Sequence, residues 1–286
     1  MNVGRREFLR NSLVLGAAAG LAPRLVGAAE PKPRIRIGTV TYMVGAQLDL
    51  PTLIKVCEDS GMEGVELRTT HKHGVEPSLD AAGRERVKET FAKTKVKLVA
   101  LGSACEYHSP NPETVKKNIE QTNAFVQLAA DLGVWGVKVR PNGLRKDVPE
   151  DDTLRQIAGA LKECGAFAQD KGVKIVVECH GGGTSHPARM ARIMEYCGHP
   201  AVGICWNSNG DDVDKQGSVK WSFELLKKWF WHAHIKDCGG GYPFKELFDL
   251  LKGIGYDGYT MFETAAKGDP TEFLKERRAA WEKLAL

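Results

Sequence analysis

Polar residues follow several short apolar runs in the second half of the sequence. Each run has the composition of a buried strand, and a charged side chain there is costly unless it is paired or bound to something. Two carboxylates, one imidazole and one amide at the ends of four consecutive runs therefore indicate a functional site. Carboxylates in such a site can act as general acids and bases toward a nearby substrate proton. The four residues are Glu178, Asn207, His234 and Glu263.

Further polar residues fall on the same faces of these runs and their neighbours. Residues i and i+2 of a strand share a face, which places His180 with Glu178 and Arg140 with Lys138. We expect these and other inward-facing residues to line a substrate pocket. Other roles stay open, because Lys138 and Arg140 can also neutralise inner carboxylates and His73 can be an ordinary loop residue. The expected pocket residues are Glu66, His73, His108, Lys138, Arg140 and His180.

The elements that must position these residues repeat one theme from Arg34 onward. A short apolar run ends in polar residues, and a segment with helical spacing of its apolar residues follows. Eight such units over about 250 residues are typical of a (β/α)8 barrel, whose working residues lie at the carboxyl ends of the strands. We therefore predict a single-domain α/β TIM barrel. The predicted strands are Ile35–Tyr42, Gly64–Arg68, Lys97–Gly102, Gly136–Arg140, Lys174–Cys179, Val202–Trp206, Trp229–Ile235 and Tyr259–Phe262.

A doubly wound open sheet is the competing fold. Such a sheet usually opens with a glycine-rich turn between its first strand and first helix, and Thr41–Gly45 lacks that pattern. The seven cysteines include no CxxC pair, so we expect buried, reduced thiols. The predicted helices are Pro51–Ser60, Thr114–Leu132, Asp152–Lys171, Pro187–Cys197, Ser222–Lys228, Phe244–Lys252 and Pro270–Leu284.

The N-terminal segment has the order of a signal peptide. Gly4–Arg10 resembles a twin-arginine export signal, the apolar stretch Leu13–Leu21 follows it, and small residues around Val26–Ala29 suit a signal peptidase. We predict a cleaved signal over residues 1–28 and a barrel over residues 29–286. The expected location is periplasmic or otherwise exported, with no stable membrane insertion after cleavage.

The charge of the chain argues against a nucleic-acid partner. The formal charge is only +4, and most of it lies in the N-terminal segment. A surface that binds duplex nucleic acid needs several lysines or arginines on phosphates. We therefore expect a small-molecule partner and no nucleic acid, and homo-oligomerisation stays open.

Motifs at five strand positions resemble those of the xylose isomerase-like barrels. This family contains sugar epimerases, hydroxypyruvate isomerases, inosose dehydratases and endonuclease IV. The order and spacing of the motifs are more specific than any one of them, and the resemblance covers Ile35 to Leu284. The motifs are Gly64–Arg68, Val176–Gly182, Val202–Asn209, His232–Asp237 and Gly258–Glu263.

The resemblance implies one divalent cation, Mn, Mg, Co or Zn, held by a Glu, an Asp, a His and a Glu. The matching positions here are Glu178, Asn207, His234 and Glu263, so Asn207 departs from the usual Asp. An amide oxygen can still bind a hard cation, but it brings no negative charge. We therefore expect weaker cation binding than the usual ligand set gives.

The resemblance also implies an isomerase or epimerase of a sugar, keto-sugar or cyclitol that works through an enediolate. Glu178 and Glu263 would be the acid/base pair, and the cation would polarise the neighbouring oxygens. Export favours an unphosphorylated carbohydrate substrate. Two alternatives stay open: a lyase of the inosose dehydratase type, and a catalytically silent sugar-binding barrel, which the residue Asn207 motivates. A nuclease is disfavoured because Asn207–Gly210 supplies neither the extra Asp nor the extra His that endonuclease IV uses.

Overall fold

The computed structural model describes residues 34–286, and the predicted signal lies outside this range. Eight parallel strands close into one barrel, in which each strand pairs with the next and β8 pairs with β1. The prediction of a closed barrel is confirmed, and the open-sheet alternative is wrong. The strands are β1 (Arg36–Met43), β2 (Gly64–Arg68), β3 (Lys97–Glu106), β4 (Gly136–Arg140), β5 (Lys174–Glu178), β6 (Val202–Trp206), β7 (Phe230–Ile235) and β8 (Tyr259–Thr264).

Helices cover the outside of the barrel, and capping residues mark where they begin and end. The carboxylate of Asp49 accepts the backbone N–H of Thr52 at the start of α1, and Gly61 ends that helix with a left-handed φ of 72°. The helices are α1 (Leu50–Ser60), α2 (Ala81–Ala92), α3 (Pro112–Leu132), α4 (Glu150–Asp170), α5 (Pro187–Cys197), α6 (Lys220–Leu226), α7 (Phe244–Gly253) and α8 (Pro270–Ala285).

The sequence pattern missed α2 and the full length of two strands. Only Gly83 and Val87 of α2 are buried, so the helix shows almost no apolar face. The strands β3 and β8 continue beyond their predicted ends, to Glu106 and Thr264. These extensions carry polar residues, which the apolar pattern of the strands did not include.

The core has two parts. The larger part lies between the sheet and the helices, and a small apolar cluster of Val40, Val99, Ala100 and Met261 lies inside the barrel. A Cβ atom at Gly38 would lie 2.6 Å from the sulfur of Met261, so this glycine permits the tight interior. All seven cysteines are free and buried, as predicted. Among residues 34–286, no helix is both long and apolar enough to cross a membrane.

Candidate active site at the barrel mouth

The four ligand candidates lie on adjacent strands at one end of the barrel. Glu178 ends β5, Asn207 follows β6, and His234 and Glu263 lie near the ends of β7 and β8. Nδ1 of His234 lies 3.8 Å from Oε1 of Glu178 and 3.7 Å from Oε2 of Glu263. Trp206 pairs with Ala233, so the strand register places Asn207 beside His234. The fold thus brings together residues that are far apart in sequence.

Glu66 lies beneath this cluster and orients its histidine. Oε2 of Glu66 lies 3.0 Å from Nε2 of His234 and 3.0 Å from Nε2 of His232. Burial acts to raise the pKa of Glu66, but the two histidines lower it well below its ordinary value. The ionised carboxylate therefore accepts both N–H groups, and Nδ1 of His234 faces the cluster. Glu66 is 0% exposed, so it supports the cluster instead of lining a substrate pocket as predicted.

Lys138 forms a buried ion pair with Glu178. Its Nζ lies 2.6 Å from Oε2 of Glu178, and the two side chains are only 4% and 2% exposed. Burial would raise the pKa of Glu178, but Lys138 and His234 hold it well below its usual range. Burial would lower the pKa of Lys138, but the carboxylates Glu178, Glu66 and Glu263 raise it. Both members of the pair therefore stay charged.

The cluster fits a divalent cation. Two of its buried polar atoms, Nδ1 of His234 and Oδ1 of Asn207, have no hydrogen-bond partner among residues 34–286. Ligand atoms of Glu178, His234 and Glu263 all lie within 4.8 Å of one another. Carboxylate, amide and imidazole ligands suit Mg, Mn, Co and Zn. These four residues would hold the cation, and Lys138 would offset part of their negative charge.

A second polar cluster lies beside the first, beyond β3, β4 and β5. Nη2 of Arg140 and Nδ2 of Asn142 each donate to Oε1 of Glu106, at 2.5 Å. Nδ1 of His180 donates to Oδ1 of Asn142 at 2.7 Å, which leaves Nε2 of His180 available to a substrate. Short strands at Asn142–Gly143 and Gly181–Gly182 pair here. The sequence analysis did not single out Asn142, although it follows β4 in the sequence Pro-Asn-Gly.

The two remaining predicted pocket histidines differ in what they contact. Nε2 of His73 hydrogen-bonds the carbonyl of Arg68 at 2.8 Å, and Nδ1 accepts the N–H of Val75 at 3.0 Å. Both ring nitrogens of His73 therefore hold the loop after β2, and neither is left for a substrate. Nδ1 of His108 is buried without a partner among the described residues, so His108 keeps a free polar group.

The segment after β6 ties the ligand strands together. Ser208 Oγ donates to the carbonyl of His234 at 3.0 Å, and Asn209 Nδ2 donates to the carbonyl of Cys179 at 2.6 Å. Asp212 accepts the N–H of Asn209 at 2.6 Å and the hydroxyl of Tyr242 at 3.0 Å. Burial raises the pKa of Asp212 to about 7. Asp212 and Tyr242 did not stand out in sequence, because their partners come from different loops.

Backbone strain concentrates at this end of the barrel. Among residues 34–286, the non-glycine residues with positive φ are Met43, Thr70, Asn142 and Ser208. Met43 ends β1, and each of the others lies two residues beyond a strand end. Strained backbone persists where the surrounding structure imposes it, and it clusters at functional sites. The strain and the polar clusters therefore mark the same face of the molecule.

Comparison with known proteins agrees with this architecture. The chain matches the model of the xylose isomerase-like TIM barrel over residues 54–284. It therefore belongs to that family. No curated protein sequence matches it significantly.

Solved structures resemble it over most of its length. Residue identities below one fifth mean that these similarities show the shared fold. The 3-keto-D-glucoside 4-epimerase YcjR from E. coli has a TM-score of 0.71 at 16% identity and covers 87% of this chain and 100% of its own. An L-ribulose 3-epimerase has a TM-score of 0.73 at 18% identity, with 88% and 94% coverage. The IOLI protein with a binding zinc atom has a TM-score of 0.70 at 16% identity, with 87% and 96% coverage.

Proposed function

We propose that the protein is a cation-dependent isomerase or epimerase of a keto-sugar or cyclitol. The observation that carries the proposal is the pair of glutamates, Glu178 and Glu263, whose carboxylates lie 3.8 Å and 3.7 Å from the same imidazole nitrogen of His234. Two carboxylates around one ligand cluster suit the removal and return of a proton at a carbon next to a carbonyl. The sugar epimerases of similar fold support this reaction class.

The two glutamates share the proton transfer, one as the base and the other as the acid. One carboxylate takes the proton from the carbon beside the carbonyl, and the electron pair moves onto the carbonyl oxygen to give an enediolate. The other glutamate, which must then carry a proton, returns one to the opposite face of the same carbon or to the neighbouring carbon. A divalent cation held by Glu178, Asn207, His234 and Glu263 would supply a Lewis acid that favours charge on the substrate oxygens. Proton exchange with water then restores the two glutamates.

The ion pairs of the site support a substrate without a phosphate group. Lys138 forms an ion pair with Glu178, and Arg140 forms one with Glu106. A phosphate ester bound at either of these cations would leave a partly buried carboxylate without its partner. His180, with its free Nε2, suits a sugar hydroxyl better. The substrate that fits is an unphosphorylated carbohydrate.

Proton exchange tests the proposal directly. The purified protein would be incubated in D2O with ketohexoses, inosose-type cyclitols and 3-keto-D-glucosides, and its metal content would be determined by mass spectrometry. We expect about one divalent cation per chain and deuterium incorporation beside the carbonyl. Glu178→Gln and Glu263→Gln should each abolish the exchange. The exposed Glu120 provides a matched control, because Glu120→Gln should exchange like the wild type.

The products separate the alternatives. An epimer or an isomeric ketose supports the proposal, whereas an unsaturated product means that the enediolate expels a β-hydroxyl and the protein is a lyase. A sugar that binds but exchanges no proton, in a protein without metal even after supplementation, contradicts the proposal. That result would identify a silent sugar-binding barrel.

A further inference from the structure

Two large side chains remain exposed at the end of β1, above the proposed active site. Tyr42 is 39% exposed and Met43 is 46% exposed. Gly38 and Val40 point into the barrel, but the register between β1 and β8 is irregular from Thr39 to Met43, so alternation alone does not orient Tyr42. The guanidinium of Arg68, the last residue of β2, lies over the Tyr42 ring and places it at the barrel mouth.

Met43 lies at the end of β1, where the register with β8 is irregular and the chain turns. Its φ is 65°, a left-handed value that is costly for a residue with a large side chain. The side chain of Met43 is nearly half exposed, so burial does not offset that cost. A strained residue that gains little from packing is a sign of a functional requirement.

Two further side chains fix the position of Tyr42. The guanidinium of Arg68 lies over the Tyr42 ring, 5.1 Å from its centroid. The ring of His71 lies within 12° of parallel to it at a centroid distance of 6.4 Å, and Nδ1 of His71 hydrogen-bonds Thr41 at 2.8 Å. We call Tyr42, Met43, Arg68 and His71 the rim platform. Burial, helped by Arg68, lowers the pKa of His71 to about 4, so its ring stays uncharged at neutral pH.

The rim platform adjoins the proposed acid/base carboxylate. Met43 pairs with Thr264, the residue that follows Glu263. A sugar carbon that reacts between Glu178 and Glu263 must lie inside the mouth, below the exposed part of Tyr42. The platform therefore faces whatever extends from the reacting sugar toward solvent. An aromatic ring backed by a guanidinium suits the flat or apolar face of a second ring.

We infer that the rim platform is a subsite for a second ring, so that the substrate is a glycoside and not a free monosaccharide. This inference rests on the proposed function for the identity of the reacting sugar. The second ring is an aglycone or a neighbouring sugar unit, and Tyr42 provides its main contact. Arg68 backs the tyrosine. Its Nη1 donates to Thr69 and Thr70, and its other N–H groups can donate to hydroxyls of the second ring.

Binding of unreactive glucosides tests the subsite without requiring catalysis. Dissociation constants of p-nitrophenyl and methyl glucosides, in both anomeric forms, would be measured by calorimetry. We expect the wild type to bind the p-nitrophenyl glucoside of one anomer about two- to tenfold more tightly than its methyl counterpart, the range of a single aromatic contact. Tyr42→Ala should bring this ratio close to one, and Tyr42→Phe should keep it.

Two more variants separate a binding role from a structural one. Trp221→Ala removes another exposed aromatic ring, on α6, and it should leave the ratio unchanged. Met43→Gly relieves the left-handed strain, so it should raise the melting temperature and still reduce the preference for the p-nitrophenyl ring. An equal affinity of the wild type for both glucosides, or a ratio that Tyr42→Ala does not change, would overturn the inference. So would a dimer that dissociates on Tyr42→Ala, because the platform would then be a contact between copies.

The subsite and the proposed isomerase function can each fail without the other, and the experiments tell the two failures apart. A glucoside preference that persists in Glu178→Gln, together with a wild type that exchanges no proton, would retain the subsite and reject the isomerase. Proton exchange without any glucoside preference would do the reverse.

Discussion

Replacement of Glu66 by glutamine should weaken cation binding, although Glu66 is not one of the four ligand candidates. Its Oε2 accepts N–H groups from His232 and His234, each at 3.0 Å. The substitution keeps the volume and one acceptor oxygen but removes the negative charge behind the imidazole. Loss of such a supporting carboxylate lowers cation affinity by about 10- to 100-fold. This range corresponds to about 1.4–2.8 kcal/mol of binding free energy.

The same substitution should also lower stability. Oε1 of Glu66 is buried without a partner among the described residues. If the glutamine NH2 group occupies that position, it becomes a buried donor without an acceptor, which costs about 1–3 kcal/mol. Thermal melting measures the loss of stability. Melting with chelator reports the destabilisation of the fold alone, and the difference from melting without chelator reports the loss of cation binding.

Competition with a chelator gives the dissociation constants of Mn2+ and Zn2+ for Glu66→Gln and for a control of similar burial. Thr122→Val removes a buried hydroxyl that hydrogen-bonds Tyr107, away from the ligand cluster. We expect this control to be destabilised with unchanged cation affinity. A Glu66→Gln protein that binds both cations as tightly as the wild type would refute the assignment of Glu66 to the cation site.

Three further substitutions test the charges around the site. Asn207→Asp adds a carboxylate to the ligand set and should tighten Mn2+ binding by about tenfold or more, as measured by the same competition. Lys138→Met leaves Glu178 without its buried partner and should lower the free energy of unfolding by about 3–5 kcal/mol in urea titrations. Burial raises the pKa of Asp212 to about 7, so the folded state holds this proton more tightly than the unfolded chain does. Its stabilising effect is full below pH about 4 and is lost as pH rises through about 7. The stability of Asp212→Asn relative to the wild type should therefore be greater at pH 8 than at pH 5. If the difference in free energy of unfolding between the two proteins is the same at both pH values, this reasoning is contradicted.

The sequence predicted the elements and the strand-end residues because both leave local patterns. Alternating apolar and polar segments give the barrel, and a polar residue after an apolar run gives Glu178 and Asn207. Which side chains meet across the barrel is not a local property. Glu66 and His232 are 166 residues apart in the chain. The alternation rule placed Glu66 on the inner face, but it could not tell that the side chain lies below the ligands.

The charge around the ligand cluster differs from that of a carboxylate-rich cation site in two ways that act in the same direction. Asn207 contributes an amide oxygen without charge, and Lys138 places an ammonium group 2.6 Å from Glu178. Each change reduces the negative potential that a divalent cation experiences. The ionised Glu66 offsets this reduction in negative potential only indirectly, because it acts through the imidazole of His234. The cation should therefore bind more weakly and exchange more readily than at a site with three carboxylates, and Asn207→Asp and Lys138→Met should each tighten its binding. If both substitutions leave Mn2+ affinity unchanged, charge does not set the affinity of this site, and the geometry of the ligands must do so.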